Sequence, residues 1–144
     1  MTDETLRSIE LTRIGPARFK ATNARGGETF FGTGGEDPDF TPIELLLAAI
    51  AGCTALDVEA ITHKRTTSTT FTVHAEGHKV RDESGNHLTD LRVSFDVAFP
   101  EGPEGHAARD RVQSAIEMSR DRLCTVSRTV QLGAEIAFEQ STAG

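Results

Sequence analysis

The sequence predicts an α+β fold. Two kinds of hydrophobic pattern support this prediction. Apolar and polar residues alternate in five segments, and two longer segments have the spacing or the continuous apolar character of helices. Their order along the chain is β-β-β-α-β-β-α-β, with helices expected to cover an antiparallel sheet. The length of 144 residues suits one domain, and no repeat marks a second one. We therefore predict a single domain over residues 1–144.

Three short strands are predicted at the start of the chain. Residues 9–12 and 18–22 alternate in polarity, and the turn pair Gly15-Pro16 separates them. Residues 23–27 are rich in types that tolerate positive φ. A tight hairpin is therefore expected before a third short strand at residues 29–31.

The first helix is predicted from Pro42 to Ile61. Thr41 followed by Glu44 forms a capping-box pattern, and proline is well tolerated at the first helical position. The twelve residues 45–56 are all uncharged, so this part of the helix has no face suited to water. We expect the helix to be buried all round, and since a small domain cannot easily enclose it, we predict a homodimer that shares it.

The second half of the chain predicts two strands, a helix and a last strand. The helix is amphipathic, because its apolar residues recur at helical spacing while its arginines lie elsewhere on the helical wheel. The predicted segments are the strands at residues 71–75 and 91–99, the helix from His106 to Leu123 and the strand from Leu132 to Phe138.

Composition and charge limit the expected partners and location. The formal net charge is -7, from 22 acidic and 15 basic residues, so the average surface repels phosphate and anionic lipid. We expect no nucleic-acid and no membrane partner. The first ten residues lack the basic start and apolar run of a secretory signal, which predicts a cytoplasmic protein.

The two cysteines leave two interpretations open. Cys53 lies in the apolar helix and Cys124 lies 71 residues later, at the end of the second predicted helix. Neither has the close Cys or His spacing of a metal site, so no metal is predicted. In a reducing compartment the pair consists either of two inert buried thiols or of a working redox couple.

A resemblance favours the redox couple. The segments PIELLLAAIAGCTALDV and LCTVSRTV resemble the OsmC/Ohr family of thiol peroxidases, and RIGPARFKATNARGGETFFG is similar to the opening of its OsmC-like members. The resemblance implies an intertwined homodimer with active sites at the subunit interface. It also implies reduction of organic hydroperoxides without a cofactor, with Cys53 as the peroxidatic cysteine, Cys124 as the resolving cysteine and a dithiol as reductant.

The same resemblance implies an arginine that activates the thiol and a glutamate that holds the arginine. The acidic residue stands one place later here, at Glu44; on a straight helix it points away from Cys53, about 13 Å along the axis. Glu44 is therefore either catalytic or only a helix cap. Arg25, in a fixed turn, is the favoured arginine, with Arg18 second and Arg13 as a further candidate.

Asp57 falls one turn after Cys53 on the same helix face. Its charge would oppose formation of a thiolate, so we interpret it as structural, either in a capping role or paired with a basic residue such as Lys64 or Arg65.

Two functions are thus expected from the sequence. The first is a dithiol peroxidase for organic hydroperoxides. The alternative is a non-catalytic OsmC-like dimer that binds a small hydrophobic ligand and whose thiols are inert.

Overall fold

A computed structural model describes residues 3–141. The chain divides into two compact units, with the boundary between Leu47 and Ala48, inside the first helix. Antiparallel strands and three α-helices make up the structure, which confirms the predicted α+β class.

The N-terminal unit contains a three-stranded antiparallel sheet. Its strands are β1 (Glu10–Gly15), β2 (Arg18–Thr22) and β3 (Glu28–Phe31), in the order β1-β2-β3. Ala17 forms the first turn with a φ of 55°, and Gly26 lies in the second with a φ of 94°, a conformation that favours glycine. The strands and the tight hairpin agree with the predictions from the sequence.

Helix α1 (Pro42–Thr62) begins at the predicted capping box. The N–H of Thr41 donates to Glu44 Oε1 at 2.8 Å, and the N–H of Glu44 donates to Thr41 Oγ1 at 3.2 Å, so two otherwise unpaired donors are satisfied. The helix is long and apolar enough to cross a bilayer. Core helices of soluble proteins also meet this criterion of length and composition.

The prediction that α1 is buried all round is wrong for the single chain. Its buried residues recur every four positions and so form one narrow stripe: Ile50, Thr54, Val58 and Thr62. Away from this stripe Leu56 is 70% exposed. The reason is that this chain supplies packing partners for one side of the helix only.

The C-terminal unit contains a long antiparallel hairpin. Strand β4 (Thr70–Asp82) pairs with strand β5 (Gly85–Ala98), with a bulge between Glu76 and His78. Both strands extend well beyond the segments predicted from polarity alternation. The aromatic rings of Phe71 in β4 and Phe95 in β5 pack edge to face.

The helical segment after the hairpin is divided into three parts. Helix α2 (Pro103–Met118) passes into a π-helical turn at Ser119–Leu123, and helix α3 (Thr125–Leu132) follows. The predicted helix from His106 to Leu123 is therefore confirmed in place, although its last turn is π-helical.

The predicted last strand from Leu132 to Phe138 is wrong in the single chain. Leu132 ends α3, Gly133 caps it in the left-handed conformation, and residues 134–141 form no strand. A strand needs an edge to pair with, and this segment pairs with none of the strands described here. Accordingly Ile136 is 75% and Phe138 is 90% exposed.

Candidate active site

Cys124 occupies the junction between the π-helical turn and α3. Its backbone is extended, and its N–H donates to the Ser119 carbonyl at 2.9 Å. As the N-cap residue of α3, its sulfur accepts the N–H of Ser127 at 3.3 Å, and its thiol donates to Ser127 Oγ at 3.1 Å. The side chain is fully buried. The local sequence therefore fixes this sulfur at the N-terminus of a helix.

The fold brings Cys53 and Cys124 together. Cys53 lies in α1, half-buried, one position before Thr54 of the buried stripe. Its thiol lies near enough to the Cys124 sulfur for each thiol to shift the pKa of the other, and both cysteines are free thiols. Two sulfurs separated by 71 positions in the sequence thus meet at the start of α3.

The two thiols differ in acidity. Burial raises the pKa of Cys53, its hydrogen bond to Cys124 and the negative charge of Asp57 add to the rise, and the N–H of Val126 opposes it. Burial also works to raise the pKa of Cys124. There, however, hydrogen bonds from Ser127, Thr54 and Cys53 outweigh burial and lower the pKa below its ordinary value.

Asp57 has a polar partner other than the one expected. Its carboxylate accepts the hydroxyl of Ser119 at 2.8 Å, and Ser119 is fully buried. This bond joins the middle of α1 to the π-helical turn that precedes Cys124. Asp57 is thus structural, as the sequence indicates, but no ion pair to Lys64 or Arg65 is seen in the part of the chain that the structure describes.

The candidate arginines all lie in the N-terminal unit. Arg18 binds the carboxylates of both Asp37 and Asp39, and these hydrogen bonds raise the pKa of Arg18 above its ordinary value. A backbone hydrogen bond from Asp39, with the Arg18 guanidinium second, lowers the pKa of Asp37. Arg25 and Arg13 are exposed.

Glu44 is engaged at the start of α1. Its carboxylate accepts the N–H of Thr41 and so closes the capping box, and no ion pair to it is seen within residues 3–141. The geometry of the cap accounts for a glutamate at this position without a catalytic role.

An apolar cavity of about 320 Å³ opens in the C-terminal unit. Thr54 and Ser127, the two hydroxyl partners of Cys124, are part of its wall, and Arg120 is its one charged lining residue. The cavity therefore lies next to the cysteine pair. Its apolar wall consists of Ile50, Leu91, Val93, Phe95, Ile116 and Val130.

Three hydroxyl groups of the site were not singled out from the sequence. Thr54 directly follows Cys53, and Ser127 comes three residues after Cys124, the spacing at which an N-cap side chain meets a backbone N–H. The spacing of Ser127 from Cys124 could have predicted a helix start at Cys124, where α3 begins. Nothing in the sequence connects Ser119 with Asp57, 62 positions away. Among residues 3–141, no group of three metal-ligating side chains is placed to hold a metal ion.

Comparison with known proteins agrees with this architecture. The family model described as "OsmC-like protein" matches residues 34–139. An uncharacterized protein of Mycobacterium tuberculosis is 25% identical over 135 residues, covering 93% of this chain and 96% of its own.

Solved structures show the same fold. An OsmC-like protein from Mycoplasma pneumoniae has a TM-score of 0.71 at 13% identity, covering 90% of this chain and 89% of its own. An organic hydroperoxide resistance protein from Elizabethkingia anophelis has a TM-score of 0.56 at 18% identity, covering 88% of this chain and 91% of its own. Since the family model spans most of the sequence, the chain belongs to the OsmC-like family.

Proposed function

We propose that this protein is a thiol-dependent peroxidase that reduces organic hydroperoxides through Cys53 and Cys124. The observation that carries the proposal is the contact between the two sulfurs at the start of α3. A resolving thiol must reach the oxidised sulfur, and the proximity of the two thiols meets this requirement.

The proposed reaction has three balanced steps. The Cys53 thiolate attacks the terminal oxygen of the hydroperoxide, the O–O bond breaks, and the alkoxide takes a proton to leave as alcohol. Cys53 is then a sulfenic acid. Cys124 attacks its sulfur, forming the disulfide and releasing water. A dithiol reductant exchanges with this disulfide and restores both thiols.

A cation is needed near Cys53, because burial and Asp57 keep its thiol protonated. The resemblance implies an arginine held by an acidic residue. Arg18, bound by two carboxylates, fits that description better than the exposed Arg25, so we propose Arg18 first and Arg25 second. Glu44 is proposed as a helix cap.

We further propose a cytoplasmic homodimer. The single chain buries one stripe of α1 and leaves Leu56 exposed, and it exposes Ile136 and Phe138 in the segment for which the sequence predicts a strand. A second copy would cover apolar surface of this kind.

The apolar cavity supports the alternative function, binding of a small hydrophobic ligand by a non-catalytic dimer. Mass spectrometry after one equivalent of cumene hydroperoxide separates the two functions. Loss of two hydrogens and a Cys53–Cys124 crosslink is the result expected for the peroxidase. Unchanged thiols would support the binding protein.

Serine variants test the division of labour. Cys53→Ser should abolish turnover, because a hydroxyl provides almost no anion at neutral pH. Cys124→Ser should still be oxidised once, and its sulfenic acid should persist and react with dimedone. If instead Cys53→Ser keeps the first oxidation and Cys124→Ser loses it, the two roles are reversed.

A further inference from the structure

Ser119 uses all three of its polar groups to join neighbouring elements. Its N–H donates to the carbonyls of Ala115 and Ile116, which closes the last turn of α2. Its carbonyl accepts the N–H of Cys124 at 2.9 Å, with the five-residue spacing of a π-helical turn. Its hydroxyl donates to Asp57 Oδ2 in α1 at 2.8 Å. Ser119 is therefore a junction between α2, α1 and the residue that caps α3.

The direction of the Ser119 hydroxyl is not dictated by its own helix. A serine hydroxyl in a helix commonly donates to a carbonyl of the preceding turn, as Ser114 does to Arg111 at 3.1 Å. Ser119 donates instead to a half-buried carboxylate 62 positions away in the sequence. Because Ser119 is fully buried and its acceptor is a carboxylate, water does not compete for the hydroxyl and the bond is of the stronger, charge-assisted kind.

The two ends of this hydrogen bond are each tied to one of the cysteines. Asp57 follows Cys53 by four positions in α1, so both side chains lie on the same helix face. Ser119 precedes Cys124 by five positions and is bound to it by the backbone hydrogen bond of the π-helical turn. The bond between Asp57 and Ser119 therefore sets the register in which the turn, and with it Cys124, faces Cys53.

The π-helical turn is anchored at its ends. Ser119 and Cys124 are fully buried, whereas the four residues between them are exposed. The side chain of Arg120 binds its neighbour Asp121, so this ion pair does not connect the turn to another element. Cys124 itself has an extended backbone between the turn and α3. The position of Cys124 thus depends on how the buried start of the turn is held.

We propose that Asp57 and Ser119 are positioning residues, whose hydrogen bond holds Cys124 where its sulfur can close a disulfide with Cys53. The proposal rests on the proposed peroxidase function and concerns its second step. There the Cys124 sulfur bonds to the sulfenic sulfur of Cys53, the S–O bond breaks, and the hydroxyl leaves as water with the proton of Cys124. A misplacement of about 1 Å can slow such a step by about 100-fold, because attack needs close and aligned atoms.

The closing step can be measured without peroxide. One equivalent of dipyridyl disulfide forms a mixed disulfide with one cysteine of the reduced protein and releases one pyridinethione. The other cysteine then attacks the protein sulfur of that mixed disulfide, closes the Cys53–Cys124 disulfide and releases a second pyridinethione. The second release is intramolecular, so its rate does not depend on the reagent concentration and reports the position of the two sulfurs.

Ser119→Ala should slow the second release by about tenfold or more, because the start of the turn loses its bond to α1. Ser114→Ala is the matched control, since it removes an exposed serine hydroxyl that bonds within α2, and it should close at the wild-type rate. Thermal unfolding shows that each variant is folded at the temperature of the measurement. A purely structural role of Ser119 would lower the unfolding temperature without slowing closure.

Two variants of Asp57 separate the hydrogen bond from the charge. Asp57→Asn and Asp57→Ala both remove the negative charge that raises the pKa of Cys53, but only asparagine keeps an oxygen that can accept from Ser119. Asp57→Asn should close at close to the wild-type rate, and Asp57→Ala should be as slow as Ser119→Ala. This pair also decides the matter if Ser119→Ala does not fold.

The outcomes separate the positioning role from the peroxidase function. A wild-type closing rate in Ser119→Ala overturns the positioning role even if the protein reduces peroxides. Equal closing rates in the two Asp57 variants overturn it as well, because the hydrogen bond would then make no difference. If the variants behave as expected and the wild-type protein does not reduce cumene hydroperoxide, the positioning role stands and the proposed function fails.

Discussion

At the scale of single residues, burial is the largest influence on the pKa of each thiol, and hydrogen bonds reverse its effect only at Cys124. Cys124 is the more buried cysteine, yet its pKa is lowered, because Ser127, Thr54 and Cys53 outweigh the desolvation of its sulfur. Cys53 is less buried and has the raised pKa, since Asp57 adds to the effect of desolvation.

We expect Arg18→Ala to raise the pH midpoint of Cys53 alkylation and to slow peroxide reduction by about tenfold or more, because a cation near a thiol favours the thiolate by one or more pK units. Alkylation rates against pH are the measurement. Arg25→Ala is the matched control and should leave the midpoint unchanged. The opposite pattern, with only Arg25→Ala effective, would transfer the role to Arg25.

At the scale of elements, the π-helical turn and α3 build the site. The turn places Ser119 where it can reach Asp57, and Cys124 then caps α3. π-Helical turns inside α-helices are rare and occur frequently at functional sites. Here the turn adjusts the end of α2 so that one buried hydroxyl and one buried thiol both face α1.

Gly105 in the first turns of α2 gives a stability prediction. A Cβ at this position would collide with the carbonyl oxygen of Pro100. Gly105→Ala should therefore lower the free energy of unfolding by about 1–3 kcal/mol, although alanine is ordinarily the better helix former. Thermal and urea unfolding measure the change. The exposed neighbour His106→Ala is the control, and equal stability of the two variants would contradict the predicted collision.

At the scale of the whole molecule, two exposed apolar surfaces support the proposed homodimer. The sequence predicts full burial of α1, whereas the single chain buries one stripe of it. Exposed apolar residues also follow Gly133, in the segment that alternates like a strand but pairs with nothing in residues 3–141. A second copy that covers both surfaces would account for both discrepancies, as the proposed homodimer expects.

We expect the wild-type protein to sediment at twice its chain mass of 15.5 kDa at micromolar concentration. Leu56→Glu should dissociate this dimer, because a charge would replace a leucine that is 70% exposed in the single chain. Glu59→Gln, at an exposed position of the same helix, should not. A stable wild-type monomer under these conditions would contradict the dimer.

The sequence by itself determined the local features. Alternation predicted the strands, Thr41 and Glu44 predicted the start of α1, and helical spacing predicted α2, because each depends on residues within a few positions of one another. The last strand was the exception, since strand formation requires a partner edge that alternation does not supply.

Only the tertiary structure decided how distant residues act on each other. The contact between Cys53 and Cys124 joins positions 71 residues apart, and the bond from Ser119 to Asp57 joins positions 62 apart. The acidity of each thiol follows from these contacts, since hydrogen bonds and charges act over a few ångströms of space regardless of separation along the chain. The sequence could therefore identify the two cysteines, but the difference in their acidity arises from the folded chain.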